Sequence, residues 1–192
     1  MSAVRAAASG DVDAVVHVIT LAFTVDPITR WAIPDPHAYL SAMPDFVRAF
    51  GGHAFPNDTA DWTADRCGAA LWLPPGVEPD GERMMALLET YGNRQALSDL
   101  HSIFEQMGRF HPAEPHWYLP LIGVDPASQG RGLGGALMRY ATDRCDRDGL
   151  PAYLESSNPR NISLYQRHGF EVMGRIQAGN SPVMTPMYRK PR

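Results

Sequence analysis

The sequence predicts an α/β fold, with six or seven strands in one mixed sheet and helices on both of its faces. Three observations lead there. Trp117–Val124 is an apolar run that passes through Asp125-Pro126 into a glycine-rich loop, and a helical stripe opens at about Leu133. Other short apolar runs, residues 67–73 and 151–156 among them, are separated from one another by segments whose apolar residues recur at helical spacing. The chain of 192 residues is 44% hydrophobic and 20% charged, enough to bury a sizeable core in a single domain over residues 1–192.

The elements follow in order. Residues 2–7 suit a short first strand. Ser9 or Asp11 caps a helix that buries Val12, Val15, Val16, Ile19 and Phe23. Residues 24–36 hold three prolines and read as a loop with one helical turn. A second helix over residues 37–50 turns Leu40, Met43, Phe46, Val47 and Phe50 inward, with Pro44 as a kink. Residues 51–65 give a short strand or two around a turn at Asn57-Asp58, and the strand over 67–73 is stopped by Pro74-Pro75-Gly76. Two helices come next, over 80–91 and 94–108. Met84, Leu87, Leu88 and Tyr91 mark the first; Leu97, Leu100, Ile103, Phe104 and Met107 mark the second, and both stripes read as core packing.

Beyond the glycine loop, Leu133, Leu137, Tyr140, Ala141 and Cys145 give a helix its buried side, and it ends before Gly149. A strand over 151–156 follows. Asn158-Pro159 opens another helix, a cap followed by proline at the first helical position, and Asn161 and Tyr165 stand one turn apart on it. Gly169 closes that helix. Residues 170–176 and 183–189 are strands, and Pro182 and Pro186 send the last one to a sheet edge.

Composition excludes several classes. A net charge of −4 argues against a nucleic-acid partner or an anionic membrane surface. Cys67 and Cys145 are far apart in no ligand spacing, and Pro112 and Pro115 break any helical face that His111 and His116 could share, so no metal is expected. No signal pattern opens the chain, and no apolar run approaches a membrane span, which makes a cytoplasmic protein the expectation. The sequence leaves the oligomeric state open, a homodimer included.

The loop is an anion site. Its amides have no bulky side chains in front of them, and the first N–H groups of the helix add the positive end of the dipole. Two readings fit. Gly130-x-Gly132-x-x-Gly135, with Glu155 about 20 residues on, satisfies a dinucleotide fingerprint. Against it, Asp125 to Gln129 separate strand from loop, and the chain after the loop is too short for the further βα units such a fold needs. The other reading takes Gln129-x-x-Gly132-x-Gly134 together with Leu154-Glu155-Ser156-Ser157-Asn158-Pro159-Arg160-Asn161 and Leu164-Tyr165-Gln166-Arg167-His168-Gly169-Phe170. These two motifs, in this order and at this spacing, resemble the acetyl-CoA site of the GCN5-related N-acetyltransferases. The likeness covers residues 116–175 well and the rest in element order. Within the family the wording is most similar to puromycin N-acetyltransferase-like members, through Gly123-Val124-Asp125-Pro126, the run from Glu155 to Asn161, Ala22-Phe23-Thr24 and Ala70-Leu71-Trp72.

The resemblance implies a mostly antiparallel sheet splayed at its centre, with residues 1–115 on the acceptor side and 116–192 binding acetyl-CoA as co-substrate. It implies that the backbone of Ile122, Gly123 and Val124 pairs with the pantetheine arm. Gln129, Gly130, Arg131, Gly132, Leu133, Gly134 and Gly135 would hold the pyrophosphate, with Asn161 and Tyr165 completing the cofactor site. Tyr165 is the candidate acid for the departing thiolate. Glu155 is the first candidate base and a candidate substrate anchor, and His116 is the second base. Trp31 and Trp72 could stack on the acceptor, and either could equally be core. The activity implied is direct acetyl transfer to a primary amine of a small molecule. Acetylation of a protein or peptide amine and a non-catalytic acyl-CoA sensor are the alternatives.

Overall fold

The computed structural model describes residues 3–192, so Ser2, part of the expected first strand, lies outside the described residues. The chain runs β1 (Val4–Ala6), α1 (Val12–Ala22), α2 (Pro27–Ala32), α3 (Pro36–Gly51), β2 (Ala60–Thr63), β3 (Gly68–Leu73), α4 (Gly81–Tyr91) and α5 (Leu97–Phe110). It continues with β4 (Trp117–Val124), α6 (Leu133–Asp148), β5 (Ala152–Ser156), α7 (Ile162–Arg167), β6 (Glu171–Val172) and β7 (Thr185–Arg189).

Acid–proline and amide–proline pairs decide where several of these begin. Proline at the first helical position has no N–H to lose, and the residue before it accepts from an amide of the first turn. Asp26 accepts from Thr29 N–H at 2.9 Å to open α2, and Asp35 from Ala38 N–H at 2.7 Å to open α3. Asn158 accepts from Arg160 N–H at 3.1 Å in the turn that leads into α7. The stretch expected to be mostly loop therefore contains a capped helix, α2. Pro44 is carried inside an unbroken α3. The carbonyl that loses its partner belongs to Leu40, which is 63% exposed and sits on the solvent side. Leu40 was expected inward; Tyr39 is buried in its place and donates from its hydroxyl to Thr20 O. Tyr140 is likewise outward, 40% exposed.

Among the described residues seven strands lie in the order β1-β2-β3-β4-β5-β7-β6, and β4–β5 is the parallel pair in an otherwise antiparallel sheet. β4 and β5 pair only through Trp117–Ala152, Tyr118–Tyr153 and Leu119–Leu154. Beyond Leu119 they part. The cause is local: Leu71 pairs with Leu121 but Leu73 with Tyr118, so β4 holds one extra residue there, a bulge at Leu119-Pro120. Pro120 has no N–H to offer β5, so the ladder stops where the bulge bends the strand. The free edge Leu121 to Val124 faces the gap.

Side chains alternate across the sheet. Leu71, Leu73, Tyr118, Leu121 and Tyr153 share a core with α1 and α3, while Ala70, Trp72, Trp117, Leu119 and Leu154 share one with α6 and Tyr165 of α7. A third cluster joins Ile103 and Met107 of α5 to the bridge Ile176–Met184. The strand expected over 170–176 is thus only β6 and that bridge. β7 is not an edge strand: it lies between β5 and β6. Pro186 is tolerated because its carbonyl accepts from Met173 N–H at 2.9 Å just past the end of β6, where a missing N–H costs little. Gly51 ends α3, a 3-10 helix over Gly52–Ala54 and a turn over residues 55–58 follow, and β2 is the only strand of the 51–65 stretch.

α1 crosses β4 so closely at Gly123 that a Cβ there would lie 2.4 Å from the Cβ of Ala22. Gly123→Ala should therefore destabilise the fold by about 1–3 kcal/mol. Thermal unfolding would check this; an unshifted Tm would mean that α1 does not hold this approach.

Candidate active site

The gap between β4 and β5 is the floor of a cavity of about 1010 Å³. The glycine loop and α7 close one end, and α2, α3, α4 and α5 enclose the other.

At the loop end the backbone sets the chemistry. Gly130 and Gly132 have φ of 77° and 80°, a conformation side chains oppose, and Gly132 is the residue before α6. The amides of Leu133, Gly134 and Gly135 form the first turn of α6, and these residues line the cavity with Ser128, Gln129, Gly130 and Gly132. Arg139, Arg160 and Arg167 line the same end. Open first-turn amides, the helix dipole and guanidinium groups together fit a pyrophosphate-bearing co-substrate. Arg131 turns elsewhere: it pairs with Asp65 at 3.5 Å and lies outside the cavity wall, because the left-handed glycines flanking it direct it away. Ile122, Gly123, Val124, Asn161 and Tyr165 all line the cavity.

Glu155 stands at the end of β5 where the strands part. Alternation along β5 turns it to the face of Tyr118 and Tyr153, and Tyr118 donates its hydroxyl proton to Glu155 Oε2 at 2.8 Å. Oε1 is shielded from solvent without a hydrogen-bond partner, and so is the Tyr153 hydroxyl. Burial raises the Glu155 carboxyl from 4.5 to about 7, with the hydroxyls of Tyr118 and Tyr153 working in the opposite direction. Tyr118 and Tyr153 are pushed up by burial and by the Glu155 charge. Such a carboxyl changes its charge in the neutral range, as a general base must. Tyr165 is 5% exposed, and burial raises its hydroxyl well above the usual tyrosine value, with Asp26 adding to the shift.

The sequence reading gave Asp26 and Ser157 no role of their own. Asp26 is 6% exposed, accepts from Thr29 through Oδ1, and accepts a hydrogen bond from the Ser157 hydroxyl through Oδ2 at 2.5 Å. It thereby ties α2 to the turn after β5 across the cavity. The pair Asp26-Pro27 was the available signal.

Three expected residues lie elsewhere. Trp72 is fully buried beneath α6, on the sheet face away from the acceptor chamber. Trp31 packs behind the wall and donates from Nε1 to Asn180 Oδ1 at 3.0 Å, fastening α2 to the C-terminal loop. His116 lies outside the cavity; its Nε2 is 2.9 Å from Nε2 of His111, so one ring donates to the other. His111 in turn lines a second cavity of about 430 Å³ behind Glu155, and burial lowers its pKa. Among the described residues no group of three or more His, Cys, Asp or Glu is placed to hold a metal ion, and no helix is long and apolar enough to cross a membrane.

Residues 42–170 match the family model described as the acetyltransferase (GNAT) family. An uncharacterized N-acetyltransferase of Schizosaccharomyces pombe is 30% identical over 118 residues, 55% of this chain and 48% of that protein. The mycothiol acetyltransferase of Mycolicibacterium vanbaalenii is 43% identical over 61 residues, 28% of this chain and 20% of the relative. The chain thus spans about half or less of these relatives. Among solved structures, a histone acetyltransferase HPA2 and related acetyltransferase of Corynebacterium glutamicum is 27% identical with a TM-score of 0.70, covering 100% of this chain and 98% of that one. An agmatine N-acetyltransferase shares the fold at 17% identity and a TM-score of 0.64, with 98% of each chain covered.

Proposed function

The chain belongs to the acetyltransferase (GNAT) family, and we propose that within it the protein moves an acetyl group from acetyl-CoA to a primary amine of a small molecule by direct transfer. The observation that carries this reading is a single cavity joining the glycine loop to Glu155 through the gap between β4 and β5. A pyrophosphate at the loop would leave the thioester arm to run along the free edge of β4 toward Glu155. The narrower likeness to puromycin N-acetyltransferase rests on sequence wording alone; the relatives described above carry other names.

Acetyl-CoA supplies an activated thioester. The protein's part begins with the amine, which must lose a proton before its nitrogen attacks. For an alkyl amine of lysine-like pKa that loss costs about 4–5 kcal/mol at neutral pH, so a base within the cavity lowers the barrier. Glu155, which lines the cavity where the strands part, takes the proton, while the tyrosines and apolar walls keep water away from it. As the new C–N bond forms and the C–S bond breaks, sulfur gains the electron pair and takes up the second proton, which the nitrogen sheds in becoming an amide. Tyr165 faces the sulfur as a hydrogen-bond donor. Because burial raises its pKa, complete transfer of its proton to a thiolate of pKa about 8.5 is uphill, and stabilisation by donation is the role that fits.

Tyr165→Phe should lower kcat by about 10- to 100-fold, the range for one lost hydrogen bond to a charged group, and change the Kd for acetyl-CoA far less. Single-turnover kinetics beside calorimetric titration would separate the two. Equal turnover by both proteins would remove Tyr165 from the reaction.

A further inference from the structure

Building on the acetyl-transfer reading, we infer that the acceptor is a primary monoamine on an apolar alkyl or aryl body, and that polycations and polyhydroxylated amines are not taken. The inference comes from how charge is distributed around the main cavity. Its cationic side chains, Arg139, Arg160 and Arg167, all belong to the loop end. Its carboxylates, Asp26 and Glu155, stand at the junction. Beyond them the chamber is walled by Phe46, Met84, Leu88, Ile103, Phe104 and Met107, with no charged side chain among the residues there.

The two carboxylates are not equivalent. Both oxygens of Asp26 are engaged, by Thr29 and by Ser157. Glu155 accepts from Tyr118 through Oε2, has the Tyr153 hydroxyl beside it, and has no cationic side chain paired with it among the described residues. The junction therefore provides for one ammonium. A second charge, or a set of hydroxyls, would have to lie against the apolar walls without partners. Among the described residues Thr29 is the only hydroxyl on that side, and it is already bonded to Asp26. Methionines 43, 84, 107 and 184 give the wall adaptable shape, which suits a range of apolar bodies better than one rigid molecule.

The smaller cavity behind Glu155 gives the rival an opening. It contains Glu78 and shares Met84, Phe104 and Met107 with the main chamber, so a long diamine could place its far end there only by forcing the shared wall apart.

The test is calorimetric titration of the full chain saturated with CoA. Butyl-, hexyl-, octyl- and phenylethylamine are compared with hexane-1,6-diamine and an aminoglycoside. Affinity should rise about fourfold per methylene along the alkyl series. The diamine should bind at least about tenfold more weakly than hexylamine. Met107→Glu should reverse that ranking with CoA binding intact, while Met107→Leu should preserve it. A flat alkyl series, or a diamine or aminoglycoside binding as tightly as hexylamine, would overturn the inference. Release of thiol from acetyl-CoA is followed in parallel. Monoamine binding without release would refute acetyl transfer and keep the pocket assignment; release with diamines alone would do the reverse.

Discussion

Replacing Glu155 with Gln should lower kcat/KM for the amine by about 10²- to 10⁴-fold, the range for a positioned general base. It should also remove the rise in activity through about pH 7 that the native carboxyl gives, because only the ionised form can accept a proton. Stability should move the other way. The folded carboxyl titrates at about 7 against 4.5 for the free group, so the folded chain holds its proton more tightly. The resulting stability is fully present below about pH 4.5 and is lost as the pH rises through about 7. Above that, the native protein carries a buried charge and the Gln variant does not, a difference of about 3 kcal/mol in favour of the variant. Activity falling while the Tm at pH 8 rises is a signature that a merely structural glutamate would not give. An unchanged pH profile in the variant would dispose of Glu155 as the base.

Gly134→Val should have the second large effect. The backbone of Gly134 is helical, and an added Cβ would meet Leu164 Cδ2 at 3.4 Å, an ordinary contact. The fold should therefore survive. The branched side chain would stand before the first-turn amides of α6, where the pyrophosphate is proposed to lie. Losing one or two charge-assisted hydrogen bonds at about 1.5–3 kcal/mol each would weaken acetyl-CoA binding by about 10- to 10³-fold or more. Calorimetric titration with acetyl-CoA, on a variant whose Tm is unchanged, checks this. Unaltered affinity would remove the loop from the cofactor site.

The legibility of the molecule followed the range of its interactions. β4, the glycine loop, α6 and β5 could be read closely because each is announced by neighbours in sequence: an apolar run, an Asp-Pro turn, glycines and a helical stripe. The same chemistry opened α2 and α3 at Asp26-Pro27 and Asp35-Pro36, but three prolines between residues 24 and 36 made the region read as loop. Longer-range features were hidden. Tyr118 and Glu155 meet only because β4 and β5 run in parallel, 37 residues apart in sequence. Period-two alternation put Trp72 and Leu71 on opposite faces, yet nothing in the sequence said which face would carry the chamber. Arg131 looked like a phosphate ligand by position, whereas the φ angles of Gly130 and Gly132 turn it to Asp65, and Arg139, Arg160 and Arg167 line the cavity. His111 and His116 do form a pair, but a proline-rich loop brings them together where a shared helical face could not.

The most direct test of acetyl transfer to a small amine is stoichiometric. Thiol released from acetyl-CoA is measured against N-acetylated product by mass spectrometry, with and without a panel of primary amines. Release that depends on an amine, with one acetylated product per thiol, is the predicted result. Tight binding of acetyl-CoA with no amine-dependent release across alkyl, aryl, polyamine, aminoglycoside and peptide amines would contradict it and leave an acyl-CoA sensor as the reading.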